Sequence, residues 1–176
     1  MTHFHDTISG HESEPPFQAQ VFIDNPAGRS TKNLYNEKTL EYLRSVEVAA
    51  SYPFPYGFFL GTTSGDGDNL DCFIITNRDI DQGETVTVEP VGVMEVIEND
   101  ETDHKVLAQL VGEHTDIDQS TKDRLTQFIY EVFSDRPDKH MTVGNFLGQQ
   151  EAVRMVLAAQ DSEDTVTPDN ANYDNV

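Results

Sequence analysis

The sequence predicts an α+β fold, a small closed β-barrel of five to six strands with two flanking C-terminal helices. Three observations favour this fold. Short apolar segments separated by turn-forming residues fill the first two thirds of the chain and indicate strands. In the last third, apolar residues recur at helical spacing. With 176 residues and a hydrophobic content of 36%, the chain is long enough for one domain and too short for two ordinary ones.

The residues between the predicted strands are typical turn formers. Asn25-Pro26, Ser64-Gly65 and Asp81-Gln82-Gly83 each lie between two predicted strands. The strands are predicted at residues 17–24, 46–50, 56–62, 71–76, 85–94 and 105–110. Such a succession of short strands is typical of a small, OB-like closed barrel.

Two helices are predicted after the last of these strands. The first begins at Ser120, a residue type that caps helix N-termini. Its apolar residues follow at helical spacing, at Leu125, Phe128, Ile129, Val132 and Phe133. The second covers residues 148–159, with Val153, Val156 and Leu157 predicted to face inward. Both helices are expected to pack on the outside of the barrel.

Both ends of the chain are polar and lack periodicity. We predict a flexible N-terminal segment at residues 1–16, a barrel domain at 17–160 and an acidic disordered tail at 161–176. His3, His5 and His11 lie in the first segment, but their spacing matches no metal-ligand pattern. We interpret them as solvated side chains.

The charge of the chain excludes several partners. Thirty-two acidic residues against 11 basic ones give a formal net charge of −21. Nucleic acid and anionic membranes both attract basic surfaces, so neither is expected as a partner. No apolar stretch is long enough to span a bilayer and no basic, apolar leader is present, so we expect a soluble, cytoplasmic protein. The single cysteine, Cys72, is expected to be a buried thiol.

Three carboxylates fall within six residues in a glycine-containing turn, at Asp66, Asp68 and Asp71. Carboxylates this close repel one another unless a cation lies between them, and hard divalent cations such as Mg²⁺ prefer oxygen ligands. An EF-hand calcium loop is a poor match, because Leu70 and Asp71 stand at its fifth and sixth positions. A solvated acidic turn remains an alternative. A second acidic group, at residues 98–103, would complete a site with several metal ions.

Several motifs stand in a fixed order along the chain. They are Asp24-Asn25-Pro26, Lys32, Arg44, Tyr52-Pro53-Phe54-Pro55-Tyr56-Gly57, Asp66-Gly67-Asp68-Asn69-Leu70-Asp71, Pro90-Val91-Gly92-Val93 and Asp103-His104-Lys105. Together they resemble the family I soluble inorganic pyrophosphatases, whose D-x-D-x-x-D signature is similar to the aspartate motif. The resemblance covers residues 17–160, and the combined order and spacing make it more specific than any one motif.

The resemblance implies Mg²⁺-dependent hydrolysis of inorganic pyrophosphate to two phosphates by a metal-activated water. It implies that Asp68 is the general base. It also implies a metal site for several Mg²⁺ ions, formed by Asp66, Asp71, Asp103, Glu98 and Asp24. The phosphate ligands that it implies are Lys32, Arg44, Tyr56 and Lys105, with Tyr52 beside them. A homo-oligomer, with a hexamer favoured, is the expected assembly.

The sequence departs from the family pattern where phosphate would bind. Leu34 stands in place of a glutamate, Glu89 in place of an arginine, and Phe133 and Ser134 in place of a Tyr-Lys pair. A fixed cation at a transferring phosphoryl group contributes strongly to catalysis. Lys139 or Arg136 would substitute if the loop after the first helix folds inward.

Two alternatives stay open on the sequence alone. One is a divergent family member with weak or no pyrophosphatase activity, acting on or binding another phosphorylated ligand. The other is a non-catalytic acidic interaction module. The retained aspartates favour an enzyme, whereas Leu34, Phe133 and Ser134 favour divergence.

Overall fold

A computed structural model of the chain describes residues 15–162. The predictions for the two polar ends, including His3, His5 and His11, lie almost entirely outside the described residues. Within 15–162 the strands are β1 (Ala19–Asn25), β2 (Thr31–Asn36), β3 (Glu41–Glu47), β4 (Tyr56–Phe59), β5 (Asp71–Ile74), β6 (Thr85–Glu98), β7 (Glu101–Thr102), β8 (Lys105–Leu110) and β9 (Met141–Leu147). The helices are α1 (Gln119–Glu131) and α2 (Gln149–Ala159).

Five strands close into a barrel. They pair in the order β1-β4-β5-β8-β6, and the first residues of β6 pair back with β1. The β5–β8 pair is parallel and the other pairs are antiparallel, so the barrel is mixed. Strands β2 and β3 form a separate hairpin, and β9 pairs with the later part of β6. The predicted fold class is confirmed.

Strand β6 makes the closure possible because it is 14 residues long and its pairing contains two irregularities. Its register shifts between Pro90 and Gly92 and again between Met94 and Val96. A Cβ at Gly92 would lie 3.0 Å from the carbonyl oxygen of Leu147, so the close approach of β9 favours glycine there. The two irregularities let β6 pair with β1, β8 and β9 in turn.

Two hydrophobic clusters stabilise the barrel, and alternate residues of β5 face each of them. Cys72 and Ile74 belong to the cluster that includes Ala152 and Val156 of α2. Phe73 belongs to the cluster that α1 covers. Cys72 is fully buried, as predicted. Within residues 15–162, neither α1 nor α2 has the length and hydrophobicity of a membrane-spanning helix.

Several local predictions need correction. The helix α1 is capped by Asp118, whose carboxylate accepts the N–H of Thr121 at 2.8 Å, and not by Ser120. In α2, Leu157 is 50% exposed, so the prediction that it faces inward was wrong, and Ala152 is buried together with Val156. The strand predicted at 46–50 is the end of β3, which stops at Glu47. Strands β2, β7 and β9 were not predicted.

Candidate active site

A cavity of about 210 Å³ lies where the ends of several barrel strands meet the β2–β3 hairpin and helix α1. Ten of the eleven site residues predicted from the sequence line it. They are Asp24, Lys32, Tyr52, Tyr56, Asp66, Asp68, Asp71, Glu98, Asp103 and Lys105. Arg44 is the exception, because it is exposed on β3, opposite Leu34 of β2. The fold therefore gathers residues that are up to 81 positions apart, from Asp24 to Lys105, around one space.

The aspartate turn between β4 and β5 is shaped by its own side chains. The Asp66 carboxylate accepts the Ser64 hydroxyl at 2.6 Å and the Asp68 N–H at 2.9 Å. The Ser64 N–H in turn donates to the Asp68 carbonyl at 2.7 Å. Gly67 has a φ of +87°, a conformation that glycine adopts without strain. These contacts fix the backbone of Asp68 and leave its carboxylate exposed at the cavity.

Lys38, at the tip of the β2–β3 hairpin, holds this turn from the outside. Its ammonium donates to the Thr62 carbonyl at 2.8 Å, the Thr63 hydroxyl at 2.9 Å and the Asn69 side-chain oxygen at 2.6 Å. Buried Asn69 also donates to the Phe59 carbonyl at 2.9 Å. The hairpin therefore positions the aspartate turn through three charge-assisted hydrogen bonds.

Lys105, the first residue of β8, lies between two of the predicted metal ligands. Its ammonium is 2.6 Å from an oxygen of Asp71 and 2.9 Å from one of Asp103. Burial alone would lower the pKa of Lys105, but the two carboxylates outweigh burial and raise the pKa above its usual value. Lys105 is therefore charged, and an ammonium has three N–H donors. These two bonds leave one donor for a ligand.

Four carboxylates that line the cavity have a raised pKa and so hold their protons more tightly than usual. Burial raises the pKa of Asp24 well above its ordinary value, and the charges of Asp71 and Glu37 add to the effect. Burial, followed by the charges of Asp71 and Asp68, raises the pKa of Glu37 to about 7. Burial also raises the pKa of Asp68 and of Asp103. Seven carboxyl groups and three lysines line the cavity, so acidic groups outnumber basic ones around it.

The chemistry of these donors fits a hard divalent cation. Carboxylate oxygens are the ligands that Mg²⁺ prefers, and a cation between them would relieve their repulsion. Within residues 15–162, however, no three His, Cys, Asp or Glu side chains are already arranged to hold one ion. The ammonium of Lys105, between Asp71 and Asp103, accounts for part of this arrangement. The donor set suits a metal, and binding would require the carboxylates to converge.

The two predicted tyrosines are packed against other rings. Tyr52 lies 4.6 Å from the Phe128 ring and 5.5 Å from the Tyr56 ring, measured between centroids, and Tyr56 lies 4.7 Å from Phe73. Burial raises the pKa of both tyrosines. Their hydroxyls therefore stay protonated, and both residues pack in the core while they line the cavity.

Two charged residues that line the cavity, Glu37 and Lys139, are not among the eleven predicted site residues. Glu37 lines the cavity, and its carboxylate accepts the N–H of Asn69 at 3.2 Å. It comes from the hairpin tip, where no sequence signal marked it. Lys139 also lines the cavity, so the loop after α1 does fold inward, whereas Arg136 does not line it. Of the substituted positions, Leu34 and Phe133 line the cavity and exposed Ser134 does not.

Comparison with known proteins points to one family. A family model described as inorganic pyrophosphatase matches residues 21–163. The chain is 30% identical over 155 residues to an inorganic pyrophosphatase of Nanoarchaeum equitans, covering 82% of this chain and 97% of the relative. It is 30% identical over 157 residues to an inorganic pyrophosphatase of Thermoplasma volcanium, covering 82% of this chain and 93% of that one.

Solved structures share the fold. The structure of an inorganic phosphatase from Anaplasma phagocytophilum has a TM-score of 0.73 at 26% identity, covering 84% of this chain and 94% of that one. The inorganic pyrophosphatase of Thermus thermophilus has a TM-score of 0.74 at 22% identity, covering 84% and 91%. The similarity therefore extends over nearly the whole described chain.

Proposed function

The chain belongs to the inorganic pyrophosphatase family, and from this membership we propose that it hydrolyses inorganic pyrophosphate to two phosphates with Mg²⁺ as cofactor. The observation that carries the proposal is the single cavity that brings Asp66, Asp68, Asp71 and Asp103 together with Lys105. Four carboxylates beside a buried ammonium suit an anionic substrate that arrives with cations. The names of the relatives favour hydrolysis over the alternative of a divergent protein that binds another phosphorylated ligand.

Asp68 is proposed as the general base. Its backbone is held by the Asp66 carboxylate and by the Ser64 N–H, while its own carboxylate lines the cavity. In the reaction, a water oxygen forms a bond to one phosphorus as the bond from that phosphorus to the bridging oxygen breaks. Asp68 takes the proton of the water, and the bridging oxygen leaves with the second phosphate, which takes up a proton in its turn.

The metal ligands are proposed to be Asp66, Asp71, Asp103, Glu98 and Asp24. When bound, Mg²⁺ would acidify the attacking water and neutralise charge on the leaving phosphate. Glu98 and Asp24 stand at the ends of β6 and β1, so the strands of the barrel determine their positions. Asp66 has one carboxylate oxygen engaged within its turn and a second one for a cation.

The phosphate ligands are proposed to be Lys32, Lys105, Tyr56 and Tyr52 within the cavity, with Arg44 at its rim. Arg44 is directly opposite Leu34 in the β2–β3 hairpin. Opposite residues of an antiparallel pair project from the same face. Because Leu34 lines the cavity, the long Arg44 side chain is on the face from which it would reach a bound phosphate.

We further propose a cytoplasmic homo-oligomer, with a hexamer favoured. Large apolar side chains exposed on β3 support self-association: Tyr42 is 50% exposed and Leu43 is 57% exposed. Because each chain has a net charge of −21, copies repel one another at low salt. Sedimentation should therefore show a larger species at high salt, and a monomer at every salt concentration would overturn this part of the proposal.

The function is tested by measuring phosphate release from pyrophosphate with and without Mg²⁺. Two phosphates per pyrophosphate are expected, only in the presence of the metal. Asp68→Asn should lower turnover by about 10²-fold or more, because it removes the base and retains the size of the side chain. Asp79→Asn, an exposed aspartate outside the cavity lining, is the matched control. Metal-dependent release that survives in the Asp68 variant would contradict the assignment, and no release at all would favour a binding protein.

A further inference from the structure

Three cations surround the ring of Phe133, the residue that follows the C-cap of α1. The ammonium of Lys139 lies 5.2 Å from the ring centroid, that of Lys32 lies 5.3 Å away, and the guanidinium carbon of Arg136 lies 5.4 Å away. The whole chain has 11 lysines and arginines against 32 acidic residues. Three of those cations therefore converge on one partly buried ring beside an acidic cavity.

The contact with the ring does not explain this convergence. A cation over an aromatic face contributes about 0.5–1 kcal/mol at an exposed site, whereas like charges held close together repel one another. An anion placed among the cations would remove that repulsion. Lys32, Lys139 and Phe133 all line the cavity, so this anion site would open into the same space as the aspartates.

The backbone around Lys139 is fixed by its neighbours. The N–H of Lys139 donates to the Arg136 carbonyl at 3.2 Å, which closes a turn. The next residue, His140, exchanges two hydrogen bonds with Asn99: its N–H donates to the Asn99 side chain at 2.8 Å, and its carbonyl accepts the Asn99 N–H at 2.9 Å. The loop after α1 is thereby attached to the end of β6, which keeps Lys139 at the cavity.

Lys139 also contacts a proposed metal ligand. Its ammonium forms an ion pair with Glu98 Oε1 at 2.5 Å, and both side chains are less than a third exposed. The ammonium has further N–H donors beyond this bond. An anionic ligand can therefore bind Lys139 beside Glu98, whereas a cation that binds Glu98 would replace Lys139 as its partner.

We propose that Lys139, together with Lys32, binds a phosphate group of the substrate against the Phe133 ring and supplies the cation missing at Ser134. The proposal rests on the proposed function. The Lys139–Glu98 ion pair makes Lys139 oppose cation binding at Glu98 while it favours anion binding beside it. Removing the charge of Lys139 should therefore weaken phosphate binding and strengthen Mg²⁺ binding in the absence of phosphate.

The test compares the Lys139→Met variant with the unmodified protein. Calorimetry measures the binding of inorganic phosphate and, in a separate titration, of Mg²⁺. Loss of a charge-assisted hydrogen bond should weaken phosphate binding by roughly ten- to a hundredfold. The KM for pyrophosphate should rise in parallel, and Mg²⁺ affinity should increase. Lys139→Arg should restore most of the phosphate affinity because it keeps a charged donor.

Lys122→Met is the matched control, since the Lys122 ammonium also lies over a ring, 5.6 Å from the Phe146 centroid, but outside the cavity lining. It should leave both affinities unchanged. Unchanged phosphate affinity in Lys139→Met would overturn the inference, as would a fall in both affinities, which would indicate a purely structural residue. Because both titrations use no turnover, Lys139-dependent phosphate binding in a protein that does not hydrolyse pyrophosphate would contradict only the proposed function.

Discussion

The two walls of the cavity are built in different ways. The carboxylate wall consists of Asp66, Asp71 and Asp103 with Lys105, and it stands on the ends of paired barrel strands and on the turn before β5. The cation wall consists of Lys32, Phe133 and Lys139, which come from the hairpin and from the loop after α1. The carboxylate wall agrees throughout with the motifs on which the family resemblance rests, whereas the cation wall agrees with them at Lys32 and departs from them at Phe133.

The difference follows from how each wall is held. Asp71 and Lys105 begin neighbouring strands whose register is fixed by the parallel β5–β8 ladder, so moving either one would disturb the barrel. Lys139 lies in a loop that is attached to β6 by the contacts of His140. A loop allows a lost side chain to be replaced from a different position, as we infer for Lys139.

The largest effect is expected when the Lys105 ammonium is removed from the carboxylate wall. Lys105→Met leaves Asp71 and Asp103 without their shared partner, and breaking such a buried pair costs about 3–5 kcal/mol. Denaturant unfolding of the metal-free protein should therefore show a clear loss of stability. Turnover should fall by about 10²-fold or more, because a proposed phosphate ligand is also lost.

Mg²⁺ should recover part of the stability of Lys105→Met, since a cation would again separate the two aspartates. The Lys122→Met variant should unfold as the unmodified protein does. If Lys105→Met had the same unfolding midpoint as the unmodified protein, Asp71 and Asp103 would not depend on Lys105.

A smaller effect is expected from a change to Lys38, which supports the aspartate turn from outside the cavity. Lys38→Met removes three hydrogen bonds from the aspartate turn without changing any residue that lines the cavity. The aspartate turn should lose order, and Mg²⁺ affinity should fall by roughly tenfold. A fall of this size corresponds to the free energy of about one charge-assisted hydrogen bond. Hydrogen exchange should show faster exchange of the Leu70 amide, which is bonded to Thr62. An unchanged exchange rate of the Leu70 amide together with unchanged Mg²⁺ affinity would show that the aspartate turn keeps its conformation without Lys38.

The smallest effect is expected from Glu37→Gln, which should change how stability depends on pH. Glu37 has a pKa of about 7 in the folded protein against 4.5 for the free side chain, so the folded state binds its proton more tightly than the unfolded state does. Stability of the metal-free protein should therefore decline as the pH rises from about 4.5 to about 7. Glu37→Gln should flatten this decline in melting temperature, measured by calorimetry. An identical pH profile for the variant would contradict the role of Glu37.

Local patterns allowed much of the barrel and both helices to be predicted. The strands rich in buried residues, such as β5 and β8, have the apolar character expected of a core. The β2–β3 hairpin was not predicted because β3 is almost entirely exposed and has no apolar alternation. Strand β9 contains Gly144, a residue type that usually indicates a turn. A Cβ added at this position would lie 3.2 Å from the Glu95 side chain, so the glycine allows close packing within a strand.

The same contrast applies to the site. Asp66 and Asp71 fall within one six-residue motif and Asp103 within a second acidic group, so both motifs were visible without the structure. Glu37 could not be found, because only the fold of the hairpin brings it to the cavity. Lys139 and Arg136 were equivalent candidates on the sequence, and the choice between them depends on the path of the loop after α1. Neighbouring contacts fix that path, and sequence spacing does not reveal them.

The most direct test of the two-wall account is a crystal structure of the protein with Mg²⁺ and imidodiphosphate, a pyrophosphate analogue with a nitrogen bridge. The account predicts Mg²⁺ ions on the oxygens of Asp66, Asp71 and Asp103. It also predicts phosphate oxygens within hydrogen-bonding distance of Lys32 and Lys139. An analogue bound away from both lysines, or metal ions that contact none of the three aspartates, would contradict the account.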